Sequence, residues 1–224
     1  IERCDTNNFK SVLDIVKKHE PEIIYHTAAL PLAKLDNLNT DEAKIGSIDS
    51  TVNLLDSIVL VQKIKKNYKC KRFVYISSSM VYGDFKTNKV TEKSDVNPKE
   101  AYGTMKLAGE IITKGVSKLN DIPYTIIRPS AVYGPTDMNR RVSQIFIENA
   151  FTNKEIMIEG KDEKLDFTFI DDIVAVNFNV SPILIIFLQF TWKSFHNAPG
   201  PGISSPISVE TKEAANIPWT TRPP

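Results

Sequence analysis

Arg72-Phe73-Val74-Tyr75-Ile76-Ser77-Ser78-Ser79-Met80-Val81-Tyr82-Gly83 is the most informative part of this 224-residue chain. Its first five residues form a short, largely apolar run of the kind that builds a buried β-strand, and the run passes directly into three serines. Tyr102-Gly103-Thr104-Met105-Lys106 follows downstream and spaces a tyrosine and a lysine four residues apart. That spacing places both side chains on one face of a helix.

The serine, tyrosine and lysine in these two stretches have complementary acid–base chemistry. An ammonium beside a phenol favours the phenolate, so the spacing predicts that Tyr102 acts as a base well below its free pKa of about 10. A serine hydroxyl can hydrogen-bond both the phenolate and a substrate oxygen. Together these groups are suited to oxidising a hydroxyl to a ketone.

Apolar strands alternate with helical patterns along the first 130 or so residues. Strands are predicted at residues 22–26, 72–76 and 124–127, and helical spacing at residues 9–19 and 41–66. This alternation predicts a parallel sheet covered on both faces, an α/β fold of Rossmann-like type. Ligands of such sheets bind beyond the carboxyl ends of the strands, where residues 26–29, 77–79 and 128–130 fall.

A third helix is predicted to begin near Asn97. Asn97 has the chemistry of an N-cap, Pro98 suits the first helical position and Glu100 suits the third. The apolar stripe of this helix is predicted at Ala108, Ile111, Ile112, Val116 and Leu119. Residues 84–97 before it are polar and predict a loop.

Composition favours an ordinary globular protein. A net charge of +1 predicts neither nucleic acid nor a membrane surface as a partner. Cys4 and Cys70 have no metal-ligand spacing and form no disulfide framework, so we expect no metal and a reducing, cytoplasmic compartment. The longest apolar run, residues 182–190, is far shorter than the roughly 20 residues of a membrane span, and the first residues lack the shape of a signal peptide.

Five ordered motifs resemble those of one enzyme family. They are residues 26–29 (His-Thr-Ala-Ala), 77–83, 102–106, 128–135 (Arg-Pro-Ser-Ala-Val-Tyr-Gly-Pro) and 166–172 (Asp-Phe-Thr-Phe-Ile-Asp-Asp). Over residues 5–178 the chain resembles the extended short-chain dehydrogenase/reductases, the NAD-dependent epimerase/dehydratase group that acts on nucleotide sugars. A lone Tyr-x-x-x-Lys pair would be a weak signal, whereas five motifs in order are a strong one.

The resemblance implies a role for individual residues. The catalytic residues would be Ser78, Tyr102 and Lys106, with Lys106 also binding the nicotinamide ribose. The NAD contacts would comprise Asp5 and Thr6 at the adenine, Thr27, Ala28, Ala29 and Leu30 along the diphosphate and ribose, and Ser77, Tyr102, Lys106 and Pro129 near the nicotinamide. The substrate contacts would be Ser79, Met80 and Ala131.

The chain also departs from the family pattern. The family begins with a strand and a Gly-x-x-Gly-x-x-Gly turn that holds the pyrophosphate, and this chain has no such turn. We therefore expect residues 1–135 to be a truncated NAD-binding domain that lacks its first glycine-turn βαβ unit. The chain would then be either a fragment of the full enzyme or a protein that has lost its main cofactor anchor. Residues 136–224 are expected to be a partial substrate-binding lobe with an atypical tail. Ser79 and Met80 replace the acidic pair of the family's dehydratases, which argues against dehydration.

The resemblance implies an NAD-dependent 4-epimerase of nucleoside-diphosphate sugars. A reductase or a decarboxylase of similar substrates is an alternative within the family. A non-catalytic remnant that binds a partner is an alternative from another class, favoured by the missing turn and opposed by the intact Ser-Tyr-Lys set. Members of the family often form dimers through two helices. The resemblance therefore implies a homodimer, here through residues 102–119 and 41–66.

Overall fold

A computed structural model describes residues 1–29, 40–85, 90–135, 137, 141–157, 166–179 and 185–188 of the chain. Its main sheet contains four parallel strands in the order β3-β2-β1-β6. The strands are β1 (Ile23–His26), β2 (Arg72–Ile76), β3 (Tyr124–Ile127) and β6 (Ile185–Leu188). The predicted parallel sheet is confirmed, and β6 adds a strand that falls within the long apolar run.

Three helices pack against one face of this sheet. They are α1 (Phe9–His19), α3 (Ser50–Ile64) and α4 (Ala101–Leu119). Their core is a single cluster in which side chains such as Val16, Leu54 and Ile58 meet Ile24 and Phe73 of the strands. The opposite face carries Ile23, Tyr25 and Val74, all buried, so both faces of the sheet are shielded from water as predicted.

The helical pattern at residues 41–66 is interrupted near its start. A short helix α2 (Thr40–Lys44) passes into a π-helical stretch, Ile45–Asp49, before α3 begins. The Ser50 and Thr51 hydroxyls donate hydrogen bonds back to the Ser47 carbonyl at 3.2 and 2.7 Å. Such back-bonding competes with the regular helical ladder, and a π turn is one way in which a helix accommodates it.

The prediction for the start of α4 was wrong by three residues. The helix begins at Ala101 with Glu100 as its N-cap, so Asn97 is not the cap. The Asn97 amide instead donates to the Val81 carbonyl at 3.0 Å. Residues 97–100 therefore follow the turn after β2 as an extended segment, a tertiary contact that overrides the local capping signal.

The predicted apolar stripe of α4 is buried only in part. Ile112 and Val116 pack against the core cluster, whereas Ile111 is 62% exposed and Leu119 84% exposed. The fully buried face consists of small and polar residues, namely Gly103, Lys106, Gly109, Glu110, Thr113 and Ser117. Helix α4 thus buries Lys106 and Glu110 and leaves Ile111 and Leu119 exposed.

A second, smaller sheet follows the main strands in sequence. Strands β4 (Val132–Tyr133) and β5 (Thr168–Phe169) pair in parallel. In sequence, helix α5 (Val142–Phe151) lies between these two strands and helix α6 (Ile170–Asn179) follows β5. The domain boundary near residue 135 stays a prediction, and the tail after residue 188 lies outside the described residues. Within the described parts of the chain, no helix combines the length and apolar character needed to cross a membrane.

Candidate active site

The end of β2 is held in place by the end of β3. The Ser77 amide donates to the Ile127 carbonyl at 2.7 Å, and the Ser79 amide donates to the Pro129 carbonyl at 2.9 Å. Between them, Ser78 caps a short 3₁₀ turn (Ser79–Tyr82), and its Oγ accepts a hydrogen bond from the Met80 amide at 3.2 Å. The predicted catalytic serine is therefore fixed by its own turn, at the carboxyl edge of the sheet.

Lys106 is buried against the same edge. Its side chain is 4% exposed and its Nζ donates to the Ile76 carbonyl at 2.7 Å. The ammonium lies 5.4 Å from the Tyr75 ring centroid and 5.7 Å from that of Tyr102. Burial lowers the Lys106 pKa to about 8, since the charged form loses solvation there.

Two glycines allow α4 to come this close. A Cβ at Gly109 would lie 2.0 Å from the Tyr75 hydroxyl oxygen, and one at Gly103 would lie 2.6 Å from the Met80 carbonyl oxygen. A side chain at Gly109 would displace the buried Tyr75 ring, and one at Gly103 would displace the turn after β2. The glycine spacing around Tyr102 and Lys106 is thus part of what builds the site.

Tyr102 completes the predicted trio, although its ionisation differs from the expectation. Burial raises the Tyr102 pKa above its usual value, while the Arg141 charge and a hydrogen bond with Ser78 act in the opposite direction without cancelling it. The expectation of a Tyr102 pKa well below its free value is wrong for the protein alone, because the loss of solvation of the phenolate outweighs the interactions that favour it. The structure does bring Ser78, Tyr102 and Lys106 together.

A buried charged cluster, which the sequence reasoning missed, underlies the serines. The Glu110 carboxylate is fully buried and accepts a two-pronged contact from Arg128, Nε to Oε1 at 2.8 Å and Nη2 to Oε2 at 2.7 Å. The Ser77 hydroxyl donates to Oε1 at 2.6 Å. Burial alone would raise the Glu110 pKa, but the hydrogen bonds from Arg128 and Ser77 hold it below its usual value.

One signal for this cluster was present in the sequence. Glu110 follows Lys106 by four residues, so the two charged side chains share the helix face assigned to the active site. Ser77, predicted as a cofactor contact, is 2% exposed and directs its hydroxyl to Glu110.

The predicted cofactor contacts at the end of β1 are small residues. Thr27 is exposed, Ala28 is buried and Ala29 is half-buried, whereas Leu30 lies outside the described residues. Near the N-terminus, the exposed Asp5 accepts a hydrogen bond from the Asn7 amide at 2.9 Å. The Thr6 carbonyl accepts one from the Asn53 side chain at 2.9 Å, which ties this turn to α3.

The three predicted substrate contacts lie around the ends of β2 and β3. Ser79 and Met80 are half-buried in the 3₁₀ turn. Ala131 follows β3 and has a backbone φ of 28°, which a non-glycine residue rarely adopts. Its carbonyl accepts a hydrogen bond from the Thr168 amide at 3.3 Å, so β5 helps to hold this conformation.

His26 is a buried structural residue at the end of β1. Its Nε2 lies 2.8 Å from the Thr51 hydroxyl. That hydroxyl already donates to Ser47, so it accepts from His26, which fixes Nε2 as the protonated nitrogen. Burial lowers the His26 pKa to about 3, so the ring is neutral. Within the described ranges, no group of three His, Cys, Asp or Glu side chains is arranged to hold a metal ion.

The sequence and the fold define one family. Residues 1–180 match the profile of the NAD dependent epimerase/dehydratase family, and the chain belongs to that family. A putative UDP-glucose 4-epimerase of Methanocaldococcus jannaschii is 30% identical over 175 residues, which cover 76% of this chain and 52% of that protein. A dTDP-D-glucose 4,6-dehydratase of Dictyostelium discoideum is 29% identical over 174 residues, covering 72% and 38%.

Solved structures show the same fold. The UDP-glucuronic acid 4-epimerase of Bacillus cereus, crystallised with UDP-glucuronic acid and NAD, has a TM-score of 0.66 at 27% identity, covering 80% of this chain and 55% of that one. The UDP-glucose 4-epimerase of Thermotoga maritima, crystallised with UDP-glucose, has a TM-score of 0.70 at 22% identity, covering 82% and 60%. The chain spans about half or less of the length of the curated relatives named above.

Proposed function

We propose that this chain carries the catalytic part of an NAD-dependent 4-epimerase of nucleoside-diphosphate sugars. The observation that supports it most strongly is the meeting of Ser78, Tyr102 and Lys106 at the carboxyl edge of a parallel sheet. The UDP-glucuronic acid 4-epimerase of Bacillus cereus acts, by its name, on a sugar linked to UDP, which suggests the substrate class.

Each residue has a defined task in this mechanism. Bound NAD would take a hydride from the sugar carbon and later return it to the opposite face of the sugar. Tyr102 removes the proton from the sugar hydroxyl as the carbonyl forms and gives it back in the second half of the reaction. Ser78 hydrogen-bonds the same oxygen and orients it. The Lys106 ammonium beside the phenol would stabilise the phenolate as it forms, against the burial that raises the Tyr102 pKa.

The residues at the nicotinamide end fit NAD better than those at the pyrophosphate end. Lys106 is a buried cation beside the proposed reaction centre, and Ala28 and Ala29 permit close approach of a ligand to the end of β1. No Gly-x-x-Gly-x-x-Gly turn occurs in the 224 residues. Thr27, Ala28, Ala29, Lys106 and Pro129 would therefore hold the cofactor without the backbone amides that such a turn offers to phosphates.

Two residues favour epimerisation over dehydration. Ser79 and Met80 lack a carboxyl group, so neither can act as the acid or base that eliminates water. A reductase or decarboxylase would use the same Tyr102 chemistry and is the alternative within the family. A non-catalytic binding protein is the alternative outside it, motivated by the missing glycine turn.

The remaining proposals concern the surroundings of the enzyme. We expect a homodimer formed through α3 and α4, a cytoplasmic location, and neither nucleic acid nor membrane as a partner. The exposed Ile111 and Leu119 of α4 supply apolar surface for such a dimer.

Isotope labelling distinguishes the candidate reactions. A UDP-sugar with deuterium on carbon 4 is incubated with catalytic NAD and the chain, fused to a glycine-turn segment from a related member. An epimerase yields the 4-epimer with the deuterium retained, because the hydride leaves and returns within one active site. A reductase would act only in a parallel reaction that supplies a keto-sugar and stoichiometric NADH. A decarboxylase would release carbon dioxide from a UDP-uronic acid, and a binding protein would yield no product in any of these reactions.

A further inference from the structure

Glu110 and Arg128 join three elements that carry the proposed active site. Glu110 lies on α4, one helical turn after Lys106, and Arg128 lies between the end of β3 and Pro129. The Arg128 guanidinium engages both oxygens of the carboxylate, at 2.8 and 2.7 Å. Its remaining terminal nitrogen, Nη1, donates to the Tyr82 hydroxyl at 2.8 Å.

Further contacts of this pair lead to the proposed catalytic groups. Arg128 stacks over the Tyr82 ring at 4.9 Å, at the end of the turn that Ser78 caps. The Ser77 hydroxyl donates to Glu110, while the preceding carbonyl, that of Ile76, accepts from Lys106. The Lys106 and Glu110 side chains lie one turn apart on the same face of α4, and together they hold the end of β2.

We propose that Glu110 and Arg128 are a positioning pair that sets Ser78 against Tyr102 and Lys106 without contacting substrate. This inference rests on the proposed function of the site. The carboxylate is fully buried and accepts hydrogen bonds from Ser77 and both prongs of Arg128, so it is engaged within the protein. A buried, bidentate ion pair costs solvation, and it fixes geometry more firmly than an apolar contact of equal size.

The Lys106 amine reports on this geometry independently of catalysis. Its pKa of about 8 depends on exclusion of water. The groups that face it are the rings of Tyr75 and Tyr102, together with His26, whose own pKa responds to the lysine charge. If the pair positions α4 against β2, loosening it admits water and raises the Lys106 pKa toward its ordinary value. If Glu110 acts only as a nearby negative charge, neutralising it lowers that pKa further.

The test follows the Lys106 signal by NMR across a pH titration of protein with carbon-13-labelled lysine, assigned through Lys106→Met. Ser77→Ala removes one hydrogen bond and no charge, and Glu110→Gln removes the charge. We expect both variants to raise the Lys106 pKa. Tyr82→Phe, which frees Arg128 Nη1, supplies a third variant should Glu110→Gln fail to fold. Lys114→Ala is the matched control, because its ammonium lies 3.5 Å from Glu110 on the exposed side.

Turnover of UDP-sugar by the glycine-turn fusion provides the second readout. We expect Ser77→Ala to lower kcat about tenfold with KM changed less than about threefold, since misplacement of a base affects the transition state more than ground-state binding. The positioning role would be contradicted if the Lys106 pKa were unchanged in both Ser77→Ala and Tyr82→Phe. It would also be contradicted if Glu110→Gln were the only variant to change that pKa and the pKa fell. An inactive wild-type fusion would instead refute the proposed function, and the titration would still decide the role of the pair.

Discussion

The Lys106 ammonium is held in an environment that disfavours its charge. It is 4% exposed and its pKa is lowered to about 8 by burial. A lysine in the unfolded chain keeps a higher pKa, so the unfolded state binds more protons between these two values. The folded state therefore carries a penalty at neutral pH that disappears as the pH rises.

This penalty gives a pH-dependent prediction. Between pH 8 and pH 10.5 the free energy of unfolding of the wild type should rise by about 3 kcal/mol relative to that of Lys106→Met. Urea unfolding of both proteins at several pH values measures the difference, and the other titrating groups largely cancel because both proteins share them. A difference that does not change with pH would contradict the buried, charged lysine.

Ala131 carries backbone strain at the edge of the proposed substrate site. Its φ of 28° is unfavourable for alanine and better tolerated by asparagine. Ala131→Asn should stabilise the fold by about 1 kcal/mol, measured by urea unfolding. Ala150→Asn, on the exposed side of α5, is the control and should destabilise it slightly because alanine is the better helix former.

At the scale of elements, α4 has two distinct faces. Its inner face carries Lys106 and Glu110, whereas Ile111, Gly115 and Leu119 form an exposed stripe at intervals of four residues. Nothing described lies within 4 Å of a Cβ built on Gly115, so the stripe is open to a second helix. This is the surface through which the proposed homodimer would form.

A single substitution that introduces a charge tests the dimer prediction. Ile111→Glu should convert a dimer into a monomer, because a carboxylate at the centre of an apolar interface is left unpaired. Sedimentation velocity at several protein concentrations measures the change. Phe151→Glu places the same charge on a more exposed apolar residue of α5 and should leave the dimer intact. A dimer that persists in Ile111→Glu would exclude this face.

The elements were predictable where the signal was local. Strands β1, β2 and β3 and helix α1 follow from their apolar periodicity, and their parallel arrangement follows from the alternation. The start of α4 was missed because contact between residues 97–100 and the turn after β2 overrides the capping signal of Asn97. The buried face of α4 was predicted only in part. Ile112 and Val116 do pack against the core, but the fully buried residues are glycines and polar or charged residues, whose burial depends on contacts outside the helix.

The same distinction holds for the site. The spacing of Tyr102 and Lys106 predicted their proximity, because helix geometry fixes it. The Glu110–Arg128–Ser77 cluster joins residues that lie 18 and 33 positions apart, which no local pattern encodes. Strand β6 was missed for the same reason, since its pairing with β1 links Ile185 to Ile23.

At the scale of the whole molecule, cofactor affinity depends on both ends of the NAD site. The chain supplies Lys106 and the small residues after β1 but no glycine turn. We predict that the 224-residue chain binds NAD weakly or not at all in calorimetric titration. Fusing the glycine-turn segment of a related member, about 60–80 residues for two βα units, should restore binding. Micromolar affinity of the unfused chain would contradict this prediction.

The most direct test of the proposed enzyme is turnover of UDP-glucose by the glycine-turn fusion and its Tyr102→Phe variant. Loss of the phenol should lower kcat by about 10²–10⁴-fold, the usual contribution of a positioned acid–base group, and leave NAD binding nearly unchanged. Tyr124→Phe, which removes the same hydroxyl from β3, is the matched control and should retain turnover. Near-normal turnover in Tyr102→Phe would contradict the phenolate-base mechanism and favour the non-catalytic alternative.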